Sequence, residues 1–103
     1  MIARIWHGIT PAEKADEYHR FLQHSGISDY QAVEGNRGVI VMRRIEGDVA
    51  HFTLLTLWES EEAIRKFAGD DIEVARYYPE DADFLLEFEP NVIHHDVLEQ
   101  HLP

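Results

Sequence analysis

The chain has 103 residues and a mass of 12.0 kDa, and 45% of its residues are hydrophobic. This length fits a single domain over residues 1–103, and the hydrophobic content excludes a disordered chain. Asp and Glu number 20 against 9 Lys and Arg, so the net charge is −11. Such a charge repels nucleic acid phosphates and anionic lipid surfaces, and we expect neither as a partner.

The chain contains no cysteine, which excludes disulfides, iron–sulfur clusters and thiolate zinc sites. Small secreted domains often depend on disulfides, so a cytoplasmic location is expected. No stretch approaches the roughly 20 apolar residues of a membrane-spanning helix.

A strand over residues 2–9 and a helix ending near Gln23 are the first predicted elements. The run after the strand is typical of a helix start, because Thr10 can cap, Pro11 suits the first helical position and Glu13 completes a capping box. Apolar residues then recur at helical spacing.

The middle of the chain predicts a loop followed by a β-hairpin. Residues 27–38 are expected to form the loop, and two strands follow over residues 39–45 and 49–58, joined by a short turn at Gly47. Both strands carry apolar residues at odd and even positions. The sheet is therefore expected to be covered on both faces, and a second copy of the chain is the simplest cover for the outer one.

The second half of the chain predicts helices and a last strand. Ser60 is placed to cap a helix that Gly69 ends. A short helix is expected over residues 70–76, residues 80–88 are ambiguous between a helical turn and extended chain, and residues 91–98 read as a strand. The order β-α-β-β-α-β is that of an α+β, ferredoxin-like fold with an antiparallel sheet.

The seven histidines do not predict a metal site. His94 and His95 are adjacent, so in a strand they point to opposite faces. His19 and His24 are poorly spaced for a shared ion on a helix, and no H-x-H or H-x-x-x-H pair occurs. No metal site is therefore expected.

The first strand carries the most informative polar residue. Arg4 and Trp6 share one face of this strand, and His7 lies on the other. An arginine in a central strand is costly unless it meets a carboxylate or opens onto a cavity, and both alternatives are open. Tyr77 and Tyr78 suit a planar ligand as well as an interface.

Several segments resemble the antibiotic biosynthesis monooxygenase family of the dimeric α+β barrel superfamily. They are Met1–Gly8, Phe52–Trp58, Glu59–Phe67, Phe67–Asp71 and His94–Val97. The resemblance covers almost the whole chain and implies a homodimer with facing sheets and a pocket between sheet and helices in each subunit.

The resemblance also bears on the reaction. Characterised members of the family oxidise polycyclic quinols without a cofactor or degrade haem. The haem-degrading branch uses an Asn on the first strand, a Trp late in the second helix and a His in the following helix, where this chain has Arg4, Phe67 and Tyr77. These departures argue against haem degradation.

The leading hypothesis is an oxygenase-like enzyme that oxidises a small aromatic or planar substrate without a cofactor. Arg4 would hold an anionic oxygen of the substrate, and His94 would accept a proton, or His7 if the opposite face lines the pocket. The walls of the pocket would be Trp6, Phe67 and Tyr77. The alternatives are a non-catalytic dimer that binds a small ligand or serves in stress, and a dimer in which Arg4 is satisfied internally.

Overall fold

A computed structural model describes residues 1–103 as an antiparallel sheet with helices on one face. The strands are β1 (Ile2–Pro11), β2 (Asn36–Glu46), β3 (Val49–Trp58) and β4 (Ile93–Asp96). The α-helices are α1 (Ala15–Gln23), α2 (Gly26–Ala32) and α3 (Glu61–Ala68), and short 3₁₀ helices span Ala12–Lys14 and Pro79–Asp83. The strand order is β2-β3-β1-β4. The predicted α+β, ferredoxin-like class is confirmed.

The inner face of the sheet, which packs against the helices, holds the core. Along β3 the even-numbered residues from Ala50 to Trp58 are buried, and the odd-numbered ones are half-buried on the other face. Tyr18 of α1 and Ile64 of α3 are buried against this layer. Complete burial of such side chains contributes about 1.5–3 kcal/mol each, so the inner face supplies most of the hydrophobic stabilisation.

Three local signals in the sequence form as predicted. The Ser60 hydroxyl accepts a hydrogen bond from the Ala63 N–H at 3.2 Å, so it caps α3. Gly69, with φ of 90°, ends that helix, and Gly47, with φ of 61°, makes the turn between β2 and β3. These positive φ angles suit glycine because it has no Cβ.

The predicted start of the first helix is wrong. β1 continues to Pro11, and α1 begins only at Ala15. Thr10 is fully buried, pairs with Ala50 of β3, and donates its hydroxyl to the Pro11 carbonyl instead of capping a helix. Pairing along the full length of β3 satisfies more backbone groups than the local cap does.

The predicted loop over residues 27–38 is also wrong, because it contains α2 and the start of β2. The Ser25 hydroxyl donates to the Phe21 carbonyl at 2.8 Å where α1 ends and α2 begins. Tyr30 of α2 is buried, with its ring 4.4 Å from the ring of Phe67. This tertiary contact stabilises a helix too short to show a clear apolar period.

The expected helix over residues 70–76 does not form. Val74 instead makes a β-bridge with Asn91, and this pairing satisfies the backbone groups that a helix would have used. The ambiguous segment contains the 3₁₀ helix Pro79–Asp83, and the last strand is shorter than predicted, at Ile93–Asp96.

The outer face of the sheet is open in the single chain. Ile40 and Met42 of β2 are 49% and 43% exposed, and Ile93 of β4 is 61% exposed. Ile40 and Ile93 flank Leu55 and Ile5, which pair with each other across the sheet. The expected apolar character of this face is therefore present.

The helices of the fold include none that could span a membrane.

Candidate functional site

Arg4 and Trp6 of β1 face the helices, as the alternation of the strand predicts. They are 1% and 4% exposed, so a guanidinium and an indole lie in the core layer between sheet and helices. No carboxylate forms an ion pair with Arg4. The alternative in which an internal acid neutralises Arg4 is therefore not the arrangement in this structure.

The remaining contacts of Arg4 are few. One terminal N–H donates to the Val74 carbonyl at 3.3 Å, and the guanidinium carbon lies 5.5 Å from the centre of the Phe67 ring. Burial lowers the pKa of Arg4, and the nearby Tyr30 hydroxyl opposes this shift. A buried cation with so little compensation carries a large desolvation cost.

Phe67 is the centre of the aromatic wall. Its ring lies under the Arg4 guanidinium on one side, and the Arg76 guanidinium carbon is 4.7 Å from its centre. Arg76 also donates to the Phe67 carbonyl at 3.1 Å and pairs with Asp29 of α2 at 3.5 Å. Arg76 thus links the irregular chain after α3 to α2, a role that local spacing did not indicate.

Trp6 and Tyr77 form the other part of the wall. Their ring centres are 6.2 Å apart in an edge-to-face arrangement, and the Tyr77 hydroxyl donates to the Glu89 carbonyl. Burial is the main cause that raises the pKa of Tyr77. Trp6 therefore contacts Tyr77 and lines the same cavity as Phe67, whereas Tyr77 does not line that cavity.

His94 of β4 lies directly opposite Arg4 in the strand register. Directly opposed residues share a face, so His94 also points towards the helices. Burial, with a further effect from Arg4, lowers the pKa of His94, which favours the neutral imidazole. A cleft of about 180 Å³, lined partly by Glu61 and Glu73, opens beside His94.

Three buried nitrogen atoms lack hydrogen-bond partners, and all belong to residues of this face. They are Arg4 Nε, Trp6 Nε1 and His94 Nε2. The great majority of buried polar atoms in proteins are hydrogen-bonded. Their grouping on neighbouring strands indicates a site that an oxygen-bearing ligand or water would complete.

The cavity next to this group is small, with a volume of about 20 Å³. Its lining includes Trp6, Tyr30, Phe67, Tyr78 and Asp81, but not Arg4. This volume accepts about one water molecule, so a ring-shaped ligand must displace side chains to enter.

Asp81 is a candidate residue that the sequence did not reveal. It is 3% exposed, accepts the Tyr18 hydroxyl at 3.1 Å and accepts the Tyr78 backbone N–H at 2.7 Å. Burial raises the pKa of Asp81. No local signal marked it, because it lies in the segment whose structure was ambiguous.

His7 is the one predicted site residue that does not join this group. It lies on the outer face, where its ring contacts Glu89 and His51. Its use as the proton acceptor for a ligand held by Arg4 would require a pocket that crosses the sheet.

No protein-family model matches the sequence, and no curated protein matches it. Three solved structures are similar over nearly their whole length. A MhuD mutant with two manganese protoporphyrin IX molecules per active site is 20% identical, covers 100% of each chain and has a TM-score of 0.68. MhuD from Mycobacterium tuberculosis, a haem degrader with two haems bound, is 20% identical with a TM-score of 0.65, covering 98% of this chain and 99% of its own.

The third structure is a candidate antibiotic biosynthesis monooxygenase from Bacillus cereus. It is 16% identical, has a TM-score of 0.64, and covers 99% of this chain and 97% of its own. At these identities the likeness shows a common fold. It confirms the fold that the resemblance to antibiotic biosynthesis monooxygenases implies.

Proposed function

We propose that the protein is an oxygenase-like enzyme that oxidises a planar aromatic molecule with an acidic C–H or O–H group, without a cofactor. The observation that carries the proposal is the uncompensated Arg4 guanidinium beside aromatic walls and unpartnered nitrogens. Similar folds include a haem degrader and a candidate monooxygenase, which supports oxidation of a planar molecule.

Arg4 is proposed to hold the oxygen on which negative charge develops. A fixed cation in a dry site stabilises an enolate or phenolate more strongly than water does, because the surrounding dielectric is low. Displacement of water by the substrate would also give the free Nε–H an acceptor. Trp6, Phe67 and Tyr77 would stack against the ring.

His94 is proposed to accept the proton. Its neutral form is favoured by burial and by Arg4, so the imidazole has a nitrogen available as a base. The carbanion or enolate then reacts with dioxygen. A CH₂ group becomes C=O, one oxygen atom of O₂ enters the product, the other leaves as water, and the substrate supplies all four electrons.

The experiment measures dioxygen consumption with anthrone, a tricyclic ketone with an acidic CH₂ group, in the wild type and in Arg4→Met. We expect catalysed consumption by the wild type and a loss of about 10²–10³-fold in Arg4→Met, the range for removal of one stabilising donor. Arg65→Met is the control, because Arg65 is exposed on α3 and pairs only with Glu61.

Two other results would change the conclusion. Binding of anthrone without oxygen consumption would favour the alternative of a non-catalytic small-ligand-binding or stress-associated protein. Equal rates in Arg4→Met and the wild type would contradict the role of Arg4.

The outer face leads us to propose a homodimer in which two sheets face each other. The exposed apolar residues Ile40 and Ile93 flank a continuous apolar patch that a second copy would cover. Sedimentation equilibrium should give twice the chain mass, and Ile40→Glu should give the monomer, while Leu98→Glu in the exposed tail should leave the dimer intact. A monomeric wild type at micromolar concentration would contradict this proposal.

The lack of cysteines fits a cytoplasmic enzyme.

A further inference from the structure

The outer face carries a pair of histidines that the sequence separates by 44 positions. His7 of β1 pairs with Thr53 in the strand register, and His51 is diagonal to it on β3. His7 Nε2 and His51 Nδ1 are 3.0 Å apart, and the rings are inclined by only 22°. The two imidazole nitrogens therefore face each other within hydrogen-bonding distance.

Glu89 contacts the other ring nitrogen of His7. In the tautomer in which His7 Nδ1–H donates to this carboxylate, His7 Nε2 has a free lone pair. In the neutral pair, the hydrogen between the rings then belongs to His51 Nδ1. Glu89 is itself held in place, because its backbone carbonyl accepts the Tyr77 hydroxyl.

We propose that His7 Nε2 and His51 Nδ1 bind a late first-row divalent transition metal ion such as Zn²⁺, which replaces the hydrogen they share. Two nitrogens at about 2.0–2.1 Å from a tetrahedral zinc ion are about 3.3 Å apart, so a shift of a few tenths of an ångström suffices. Imidazole is a preferred ligand of these ions. A carboxylate on the second nitrogen of a metal-binding histidine is a recurring feature of such sites, and Glu89 supplies it.

The pair lies nearer to the β2–β3 turn than the apolar row of Ile40, Leu55, Ile5 and Ile93 that the proposed second copy covers. At that end of the outer face, the single chain leaves room for the ion and its water ligands. A cleft of about 210 Å³ lies over the pair, and its lining includes Met42, Arg43 and Arg44. The two arginines are compensated, since Arg43 pairs with Asp16 and Arg44 with Glu46.

The number of protein ligands limits the expected affinity for the metal ion. No group of three or more His, Asp or Glu side chains converges on one point, so water must complete the coordination shell. The site is therefore expected to bind the ion reversibly. It lies on the opposite face of the sheet from Arg4, so the inference does not depend on the proposed oxidation.

The test is titration of the whole protein with ZnCl₂ at pH 7.5, followed by calorimetry and by ¹⁵N signals of the histidine rings. We expect one zinc ion per chain, with shifts at the rings of His7 and His51. His51→Ala should lower the affinity at least tenfold, and Glu89→Gln by about 10–100-fold. His24→Ala, which alters an exposed histidine of the helical layer, should leave the affinity unchanged.

Binding should also weaken in acid, because protons compete with the metal ion for the imidazole nitrogens. The proposal is overturned if the wild type shows no zinc-dependent shifts at His7 and His51, or if the shifts occur at other histidines. It is equally overturned if folded His51→Ala binds as tightly as His24→Ala. Should His51→Ala fail to fold, the ring signals of the wild type still decide between these outcomes.

Discussion

The two faces of the sheet differ in whether their polar side chains have hydrogen-bond partners, although β1 contributes residues to both faces. On the inner face, Arg4 and Trp6 are almost completely buried and keep nitrogen atoms without partners. On the outer face, His7 is half-buried, and both of its ring nitrogens have partners. The great majority of buried polar atoms are hydrogen-bonded, so the unpartnered nitrogens make the inner face the stronger candidate for ligand binding.

The two faces also contribute differently to the stability of the single chain and to its association. The inner face holds the aromatic core and a costly cation in the same layer, whereas the outer face holds an apolar patch that one chain leaves open. Substitutions on the inner face should therefore change the free energy of unfolding of the chain itself. Those on the outer face should act mainly through association.

The largest effect is expected for Phe67→Ala. This ring packs against Tyr30 and Trp58 and also contacts the guanidinium groups of Arg4 and Arg76. Its loss therefore creates a cavity in the core. We expect a loss of about 3–5 kcal/mol in the free energy of unfolding, measured by urea titration. Leu55→Ala on the outer face is the comparison variant, measured under conditions where the protein is monomeric. An equal or larger loss in its free energy of unfolding would contradict the view that the inner face supplies most of the stability of the single chain.

Arg4→Met should leave the fold intact and change stability in the opposite direction. A methionine of similar length removes an uncompensated buried charge, so the free energy of unfolding should be unchanged or higher by up to about 4 kcal/mol. Thermal melting of the two proteins checks this. A clear fall in melting temperature would show that the contacts of Arg4 with Val74 and Phe67 stabilise the fold, and Arg4 would then have a structural role.

A smaller effect is expected for His94→Gln, and it depends on pH. Because the folded-state pKa of His94 is lowered, the unfolded state takes up the proton first as the pH falls below about 6.5. The wild type should therefore lose stability from pH 7 towards pH 5, and His94→Gln should lose less. His95→Gln is the matched control, since His95 lies next in sequence on the exposed face. Identical pH profiles for His94→Gln and the wild type would contradict burial of the His94 ring.

The smallest effect is expected with hemin and a reductant. The resemblance to antibiotic biosynthesis monooxygenases implies that Arg4, Phe67 and Tyr77 stand where the haem-degrading branch has Asn, Trp and His, so we expect no haem degradation. Absorbance spectra in the Soret region, followed over time, test this. Conversion to a biliverdin-like spectrum would show that Arg4, Phe67 and Tyr77 do not prevent haem degradation, and the inner face would then be a haem-degrading site.

Much of the candidate site could be predicted because strand alternation is local. The alternation of β1 separated Arg4 and Trp6 from His7, and the structure keeps that separation. It could not show that Arg4 lacks an acid, that His94 stands opposite it, or that Asp81 lies in the cavity. Those facts depend on strand register and on where an irregular segment packs.

Local sequence signals were enough to predict the β-hairpin around Gly47, the Ser60 cap of α3 and the two faces of β1. Each of these rests on neighbouring residues, through side-chain period, a cap or a glycine turn. Long-range contacts account for three other features: α2 forms, Val74 pairs with Asn91 where a helix was expected, and His51 contacts His7. In each case, groups distant in sequence satisfied hydrogen bonds or buried an aromatic ring, and the free energy of those contacts exceeded the local preference of the chain.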